Sequence, residues 1–355
     1  MSEAIPGFAA IIPAGGVGKR LWPVSRSDRP KFLLDLTGAG RSLIQQTWDR
    51  LAPLAGPARV LVVAGENHAA PVAAQLPGLP AANLVAEPSP RDSMPAIALA
   101  AASGQRRFGD LVFGSFAADH VITGGDLFEQ AVVGAYLAAA EGLIATIGVK
   151  PTGPATAYGY IEAGDPVGLV DRPDVRFVKS FKEKPDRVTA ERHLASGRHR
   201  WNAGMFIFKA SVLLGHLATL RPALADGIAQ LADAWDTGRR GQIASRVWPR
   251  LERIAIDHAI AEPVAALGGL ATVPGDFAWS DVGDYDSLAE LTPSGWAALA
   301  DGPAPRLVDS PGALVVNETD QAVSVLGLPG VVVAISHGQV LVTRRDHAQH
   351  VKDLS

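Results

Sequence analysis

A glycine-rich stretch near the N-terminus has the composition of an anion-binding loop. Successive free N–H groups in such a loop form a concavity that holds phosphate oxygens, and glycines let the backbone approach the ligand closely. The glycines of this stretch are Gly15, Gly16 and Gly18. Lys19 and Arg20 follow them and add positive charge. These residues therefore predict a site for a nucleoside triphosphate.

Two well-known glycine loops do not fit this stretch. A P-loop ends in Gly-Lys followed by Ser or Thr, whereas Lys19 is followed by Arg20. The dinucleotide-binding fingerprint needs a further Gly or Ala where Leu21 stands. Taken alone, the stretch could also be a simple glycine turn between a strand and a helix. The surrounding motifs must therefore decide between a ligand site and a turn.

Two aspartates follow strand-like runs far apart in the chain. Asp119 comes after the apolar run at residues 111–116, and Asp281 stands in the segment at residues 279–283. A carboxylate at the carboxyl end of a strand, in a phosphate site, is a suitable ligand for Mg²⁺. Asp281 alone could also be a turn residue. Together with Asp119 it predicts a shared magnesium site.

The elements that must position these residues alternate between strands and helices. The apolar run at residues 9–12 predicts a buried parallel strand, and Pro13 is expected to end it because proline cannot donate to a sheet ladder. Further strands are predicted at residues 59–64, 83–88 and 143–149, and helices at residues 42–51 and 128–142. This alternation indicates an α/β doubly wound sheet, whose ligands bind at the carboxyl ends of the strands.

Taken in chain order, the motifs resemble those of the sugar-phosphate nucleotidyltransferases, and most closely the mannose-1-phosphate guanylyltransferases. The resemblance covers residues 8–290. It departs from the family pattern at Phe32, Asp92, Ser93 and Ala203, where the family often has Gln, Asn, Thr and Ser. The matching segments are residues 15–33, 87–100, 111–122, 151–162, 181–186, 201–208 and 277–285.

The resemblance implies roles for individual residues. The implied catalytic residues are Arg20 and Lys31, which would bind phosphate oxygens, and Asp119 and Asp281, which would hold Mg²⁺. Glu87 would accept hydrogen bonds from guanine N1 and N2, because a carboxylate matches two adjacent donors. The implied nucleotide-binding residues are Ala14, Gly15, Gly16, Gly18, Lys19, Arg20, Glu87, Ser93 and Pro95. The implied sugar-phosphate-binding residues are Tyr158, Gly159, Glu183, Lys184 and Asn202.

The family also implies a fold and a reaction. The expected fold is a Rossmann-like, doubly wound mixed sheet of the nucleotide-diphospho-sugar transferase type. The predicted domains are a catalytic domain at 1–291, a linker at 292–305 and a small β-rich module with a closing helix at 306–355. The expected reaction converts GTP and α-D-mannose 1-phosphate into GDP-mannose and diphosphate. The alternatives are another hexose 1-phosphate or nucleoside triphosphate, or a non-catalytic regulatory relative that binds a sugar nucleotide.

Composition limits the partners of the chain. Its 355 residues are 48% hydrophobic and 19% charged, which suits a globular protein, and the net charge of −4 gives no basic surplus for nucleic acid. The absence of cysteine excludes disulfides and thiolate metal sites and fits a reducing compartment. Residues 1–7 lack a signal-peptide pattern, and no apolar run reaches membrane length. We therefore expect a cytoplasmic protein without a membrane partner, whose C-terminal module packs on the catalytic domain or on a second subunit in a homodimer.

Overall fold

The computed structural model describes residues 4–299 and 302–354. Within them the chain divides into two units, which are described separately. The first unit comprises residues 4–15, 48–117 and 122–279, and the second comprises residues 16–47, 118–121, 280–299 and 302–354. The ends of the predicted domains at residues 1–3 and 355, and residues 300 and 301 of the predicted linker, lie outside the described residues.

The secondary structure alternates as the sequence predicts. In chain order the strands are β1 (Phe8–Ala14), β2 (Val60–Gly65), β3 (Leu84–Glu87), β4 (Val112–Ser115), β5 (Val121–Thr123), β6 (Ile144–Val149), β7 (Tyr160–Pro166), β8 (Arg176–Lys182), β9 (His199–Lys209), β10 (Leu270–Gly275), β11 (Ala278–Ser280), β12 (Trp296–Ala298), β13 (Arg306–Val308), β14 (Leu314–Asn317), β15 (Ser324–Leu326), β16 (Val331–Ser336) and β17 (Gln339–Arg344). The α-helices are α1 (Leu43–Ala55), α2 (Glu66–Gln75), α3 (Ser93–Phe108), α4 (Gly125–Ala140), α5 (Arg187–Ser196), α6 (Ala210–Leu220), α7 (Pro222–Trp235), α8 (Arg240–Val247), α9 (Glu262–Ala266) and α10 (Tyr285–Leu291). Short 3-10 helices lie at Lys19–Leu21, Lys31–Leu33, Pro57–Arg59, Ala81–Asn83, Trp248–Arg250 and Arg345–Leu354, and a π-helical turn spans Asp257–Ala261.

A nine-stranded mixed sheet forms the centre of the first unit. Its strand order is β3-β2-β1-β4-β9-β6-β10-β8-β7. Strands β3, β2, β1 and β4 are parallel, whereas β9 runs antiparallel to both β4 and β6. The chain adds strands first on one side of β1 and then on the other, which makes the carboxyl end of β1 a topological switch point, where ligands bind in such sheets. The predicted doubly wound, mixed sheet is confirmed.

Pro13 does not end β1, so this detail of the sequence prediction was wrong. The strand continues to Ala14, and Pro13 lies opposite Val63 of β2. Ile11 accepts a hydrogen bond on the β4 side, and residues two apart in a strand face the same way, so the missing N–H of Pro13 also faces that side. The pairing between β1 and β4 ends with the pair Ile11 and Ser115, before Pro13 is reached. The proline therefore removes no ladder hydrogen bond.

Helix α1 begins where its sequence predicts an N-cap. The Ser42 hydroxyl accepts a hydrogen bond from the Gln45 N–H at 3.4 Å, and the Gln45 side chain accepts one from the Ser42 N–H at 3.0 Å. This reciprocal pair is a capping box, which satisfies two backbone donors that the helix itself cannot pair. The cap explains why the helix starts at Leu43.

The second unit is held by a core that joins early and late parts of the sequence. Leu21 and Leu34 of the loop region lie in one apolar cluster with Tyr285 of α10, Val332 of β16 and Val351 of the last 3-10 helix. Two sheets accompany this core, one of order β12-β14-β16-β17 and one that pairs β13 with β15. Burial of apolar surface therefore ties residues 16–47 to the C-terminal strands.

The small β-rich module predicted after the linker is confirmed, whereas the linker and the closing helix differ from the prediction in detail. The predicted linker at residues 292–305 includes β12, which pairs with β14. The predicted closing helix is a 3-10 helix over Arg345–Leu354. The domain boundaries at 1–291, 292–305 and 306–355 stay predictions, as do the cytoplasmic location and the homodimer. In the described part of the chain, every helix is too short or too polar to cross a membrane.

Close packing of α3 on the sheet gives a testable consequence. A Cβ atom at Gly104 would lie 2.6 Å from Cε1 of Phe113, whose side chain is fully buried. Gly104→Ala should therefore destabilise the protein by about 1–3 kcal/mol, because overpacking outweighs the better helix propensity of alanine. Equilibrium unfolding in urea measures this change.

Gly215 of α6 provides the matched control. A Cβ atom there has open space, and the residue is exposed. Gly215→Ala should stabilise the protein by up to about 1 kcal/mol through helix propensity alone. Equal shifts of the same sign in the two variants would contradict the described contact between α3 and Phe113.

Candidate functional site

The Lys31 ammonium is the centre of a polar cluster in the second unit. Its Nζ lies 2.9 Å from Oδ2 of Asp119 and donates to the backbone oxygens of Asp281 at 2.7 Å and Val282 at 3.4 Å. Lys31 itself is only 7% exposed. The fold thus brings Lys31, Asp119 and Asp281 together, although 250 residues separate the first from the last.

The Lys31 ion pair keeps Asp119 charged. Burial alone would raise the pKa of Asp119, but the charge and the hydrogen bond of Lys31, with a contribution from His120, hold that pKa below its ordinary value. The site therefore presents a carboxylate, not a neutral carboxyl group, near neutral pH.

The backbone next to Asp281 is strained. Val282 has a φ of 45° and is fully buried. A β-branched residue rarely adopts positive φ, and such strain persists only where the surrounding packing enforces it. The strain at this position places two consecutive carbonyl groups on Lys31, a feature that the sequence motif does not reveal.

The donors of this cluster suit a hard divalent cation. Mg²⁺ takes carboxylate oxygens together with phosphate and water oxygens. The cluster contains the carboxylate of Asp119, whereas Asp281 contacts Lys31 through its backbone oxygen, so the Asp281 carboxylate as a second ligand stays a prediction. Gly16 leaves room beside Asp119, since a Cβ atom there would lie 3.8 Å from Oδ2. Residues 4–299 and 302–354 hold no group of three or more His, Asp or Glu side chains arranged for a metal ion. An ion bound here would thus complete its coordination with substrate and water oxygens.

The glycine loop carries its two cations in the 3-10 helix Lys19–Leu21. Lys19 is exposed, whereas the guanidinium of Arg20 donates to Oε1 of Gln349 at 2.9 Å. Gly18 lies against Lys31, because a Cβ atom on it would be 3.0 Å from Cγ of that lysine. The second unit therefore holds Gly16, Gly18, Arg20 and Lys31 of the predicted phosphate-binding residues close to one another.

Glu87 is the predicted base-binding residue of the first unit. It ends β3, is 4% exposed, and its Oε2 has no hydrogen-bond partner among the described residues. Burial raises the pKa of Glu87 to about 7. Gly15 lies beside it, since a Cβ atom there would be 3.5 Å from Oε1, and Ala14 precedes Gly15 as the last residue of β1. A buried carboxyl oxygen without a donor, as Oε2 is here, is suited to receive a hydrogen bond from a ligand.

The segment after Glu87 is fixed by its own side chains. The Ser93 hydroxyl accepts a hydrogen bond from the Ile256 N–H at 2.9 Å, and Arg91 donates to the Pro249 carbonyl at 2.6 Å. Pro95 is buried in the first turn of α3. Ser93 and Pro95 thus support the segment through packing and backbone contacts, and their direct contact with a nucleotide stays a prediction.

Asn202 connects several elements of the predicted sugar pocket. Its side-chain oxygen accepts from the Thr146 hydroxyl and its amide donates to Oδ1 of Asp257, both at 2.8 Å. Its backbone N–H donates to the Gly159 carbonyl, also at 2.8 Å. Asn202 is 6% exposed, so these bonds fix its side-chain orientation.

Charges of both signs gather beside Asn202. Lys184 lies 2.9 Å from Glu183, and a Cβ atom at Gly159 would meet Oε2 of Glu183 at 2.6 Å, so a larger residue there would displace the Glu183 carboxylate. Burial alone would lower the pKa of Lys184, but Glu183 outweighs it and raises that pKa. Burial and the Glu183 carboxylate raise the pKa of Asp257 to about 6. Asp257 belongs to this cluster, although it lies in none of the motifs of the sequence analysis. The one feature of the sequence that could have indicated a role for it is its position within an otherwise apolar segment.

Tyr158 lies between two tryptophan rings. Its ring centroid is 5.0 Å from that of Trp201 and 5.1 Å from that of Trp279, with interplanar angles of 62° and 67°. Edge-to-face geometry of this kind is favourable and rigid. The three rings form an aromatic group near the start of β9, and the sequence motifs identify only Tyr158 among them as a site residue.

Comparisons with known proteins agree with the motifs. A family model described as nucleotidyl transferase matches residues 9–294, and one described as a MannoseP isomerase/GMP-like beta-helix domain matches residues 307–354. The chain is 37% identical over 360 residues to the xanthan biosynthesis protein XanB of Xanthomonas campestris pv. campestris, covering 100% of this chain and 73% of that protein. It is 36% identical over 348 residues to a mannose-1-phosphate guanylyltransferase of Escherichia coli, covering 96% and 72%. A solved structure from Thermus thermophilus, described as a mannose-1-phosphate geranyltransferase, superposes with a TM-score of 0.84 at 29% identity and 98% coverage of both chains.

The raised pKa of Glu87 predicts a pH-dependent stability. In the unfolded chain the carboxyl would titrate near its ordinary value of 4.5, and in the folded protein near 7. Between these values the folded state keeps a proton that the unfolded state has lost, so the free energy of unfolding falls as pH rises through this window. Glu87→Gln should remove this fall and become the more stable protein above pH 7, by at most about 3 kcal/mol.

Urea unfolding of both proteins between pH 4 and pH 8 measures the difference. Glu290→Gln, which changes an exposed glutamate of α10, is the control and should follow the wild-type profile. Parallel profiles for wild type and Glu87→Gln would show that the buried Glu87 does not titrate in this range.

Proposed function

Because the chain belongs to the nucleotidyl transferase family, we propose that it is a mannose-1-phosphate guanylyltransferase, which converts GTP and α-D-mannose 1-phosphate into GDP-mannose and diphosphate. The observation that carries the proposal is the cluster of Lys31, Asp119 and Asp281, because it joins residues from three of the segments that resemble the family. The activity predicted from the sequence agrees with the name of the relative in Escherichia coli.

The proposed chemistry is an in-line displacement at the α-phosphorus of GTP. A phosphate oxygen of the sugar phosphate attacks, diphosphate leaves, and no covalent enzyme intermediate is needed. Arg20 would neutralise charge on the triphosphate, which lowers the repulsion between the two anionic substrates. The three donors of Lys31 already contact Asp119 and the carbonyls of Asp281 and Val282, so Lys31 would act mainly by keeping Asp119 ionised and in place. Asp119 and Asp281 would hold Mg²⁺, which when bound supplies further charge neutralisation at the phosphates.

Glu87 is the proposed reader of the guanine base. Its two oxygens match the adjacent N1–H and N2–H donors of guanine, and a carboxylate accepts both. Adenine lacks this pair of donors, so Glu87 would favour GTP over ATP. The missing hydrogen-bond partner of Oε2 supports this role, because a buried acceptor without a donor is costly until a ligand pairs it.

The sugar phosphate is assigned to the cluster around Asn202. Glu183 would accept hydrogen bonds from sugar hydroxyls, and Asn202 would donate hydrogen bonds to them. Lys184 would bind the phosphate as a point charge. Asp257 lies behind Asn202 and fixes its amide through the 2.8 Å hydrogen bond. Tyr158 would contribute an apolar edge beside the sugar ring. A pocket with few well-placed polar groups among aromatic side chains is typical of small-molecule sites.

A substrate panel tests the proposal directly. Four nucleoside triphosphates are combined with mannose, glucose and galactose 1-phosphates, and diphosphate release gives kcat/KM for each pair. The expected best pair is GTP with mannose 1-phosphate, and the expected product is GDP-mannose. Higher kcat/KM with another base or sugar would replace the proposed substrates and keep the reaction. Binding of GDP-mannose without diphosphate release from any pair would instead favour the regulatory alternative.

A further inference from the structure

The C-terminal 3-10 helix Arg345–Leu354 carries a side chain that contacts the glycine loop. Gln349 accepts a hydrogen bond from Nη1 of Arg20 at 2.9 Å and donates through Nε2 to the carboxylate of Asp284. Arginine offers only donors and an ionised carboxylate only acceptors, so both partners select the same orientation of the amide. Gln349 therefore connects the cation of the loop to a carboxylate at the start of α10.

Asp284 is a fixed acceptor for this amide. Its side chain caps α10 by accepting hydrogen bonds from the N–H groups of Asp286 and Ser287, both at 2.9 Å, and the residue is 7% exposed. The next residue, Tyr285, donates its hydroxyl to the carbonyls of Leu21 at 2.9 Å and Trp22 at 3.1 Å. The same helix start thus holds both the backbone of the loop and the partner of Gln349.

The 3-10 helix is itself anchored on either side of Gln349. Ala348 and Val351 are buried in the apolar cluster that includes Leu21. At the start of the helix, Arg345 donates to Oδ1 of Asp286 at 2.6 Å. Gln349 therefore projects from a segment whose position is fixed by packing. A side chain that orients another side chain must itself be held in this way.

We propose that Gln349 is a positioning residue for Arg20 and that the C-terminal helix is thereby a working part of the nucleotide site. The inference rests on the proposed function, in which Arg20 binds the triphosphate. A neutral amide orients the guanidinium but leaves its charge available for phosphate. A carboxylate at this position would form an ion pair with Arg20 and compete with the ligand. Because the arginine is ordered before GTP arrives, less side-chain freedom is lost on binding.

Substitutions at position 349 test this role. Gln349→Met keeps the length of the side chain but removes both hydrogen bonds, and it should lower kcat/KM for GTP about fivefold, the effect of one ordinary hydrogen bond. KM for mannose 1-phosphate should stay unchanged. Gln349→Glu should cause a larger loss that recovers as ionic strength rises, because salt screens the new ion pair with Arg20. Because the new carboxylate would also face Asp284, urea unfolding of Gln349→Glu at the same salt concentrations measures any loss of stability separately. A merely structural role would make the activity follow that stability, whereas the positioning role predicts a salt-dependent kcat/KM for GTP in the fully folded variant.

Two further variants separate the failure of the inference from the failure of the proposed function. His350→Ala changes an exposed residue of the same helix, paired with Asp353 at 3.7 Å, and should behave as wild type. Arg20→Ala should lower kcat/KM for GTP strongly, and adding Gln349→Met to it should cause no further loss. If Arg20→Ala had no effect, the proposed role of Arg20 would be wrong. Two results would overturn the positioning role of Gln349. In the first, Arg20→Ala impairs the enzyme while Gln349→Met equals wild type. In the second, the losses of kcat/KM caused by the two substitutions multiply in the double variant.

Discussion

A single buried ammonium group joins three separate segments of the chain. A lysine has three donors, and Lys31 places them on the carboxylate of Asp119 and on the carbonyls of Asp281 and Val282. A buried charge is costly unless it is paired and fully hydrogen-bonded, so these three acceptors are what make the position of Lys31 tolerable. Loss of Asp119 would leave the buried charge unpaired, and loss of the carbonyls of Asp281 and Val282 would leave buried N–H donors without acceptors.

This constraint explains features that are otherwise unconnected. The carbonyls of residues 281 and 282 face one donor group, and Val282 adopts an unfavourable φ of 45° there. The apolar cluster of the second unit supplies the packing that enforces such strain, since Val282 is a fully buried member of it. The charge of Lys31 in turn keeps Asp119 ionised, so a carboxylate is ready for a cation before substrates arrive. The packing of Lys31 and the proposed cation binding at Asp119 thus depend on the same contact.

Local patterns in the sequence predict much of this protein. The buried strands β1, β2 and β6 appear as apolar runs, and Ser42 marks the start of α1 through a contact only three residues away. The detail that failed, Pro13, depends on where a neighbouring strand ends, which no local pattern contains.

The site was predicted only in part, for the same reason. The motifs identify Lys31 and Asp119, whereas Asp257 and Gln349 act through contacts with residues 55 and 329 positions away in the chain. The positive φ values of Lys184 and Val282 also arise from tertiary packing and have no signature in residue type. Sequence patterns thus name residues with suitable chemistry, and the fold decides which side chains orient them.

The most direct test of the account is the affinity for Mn²⁺, measured by electron paramagnetic resonance in the presence of GDP-mannose. The proteins compared are wild type, Asp119→Asn, Asp281→Asn and the double variant. Each single change should weaken binding by at least about tenfold, the loss expected even for an outer-shell partner of a metal. The double variant should be little worse than either single one, because both carboxylates would hold one ion. Unchanged affinity in either single variant, or fully multiplicative losses in the double variant, would contradict a shared cation site at Asp119 and Asp281.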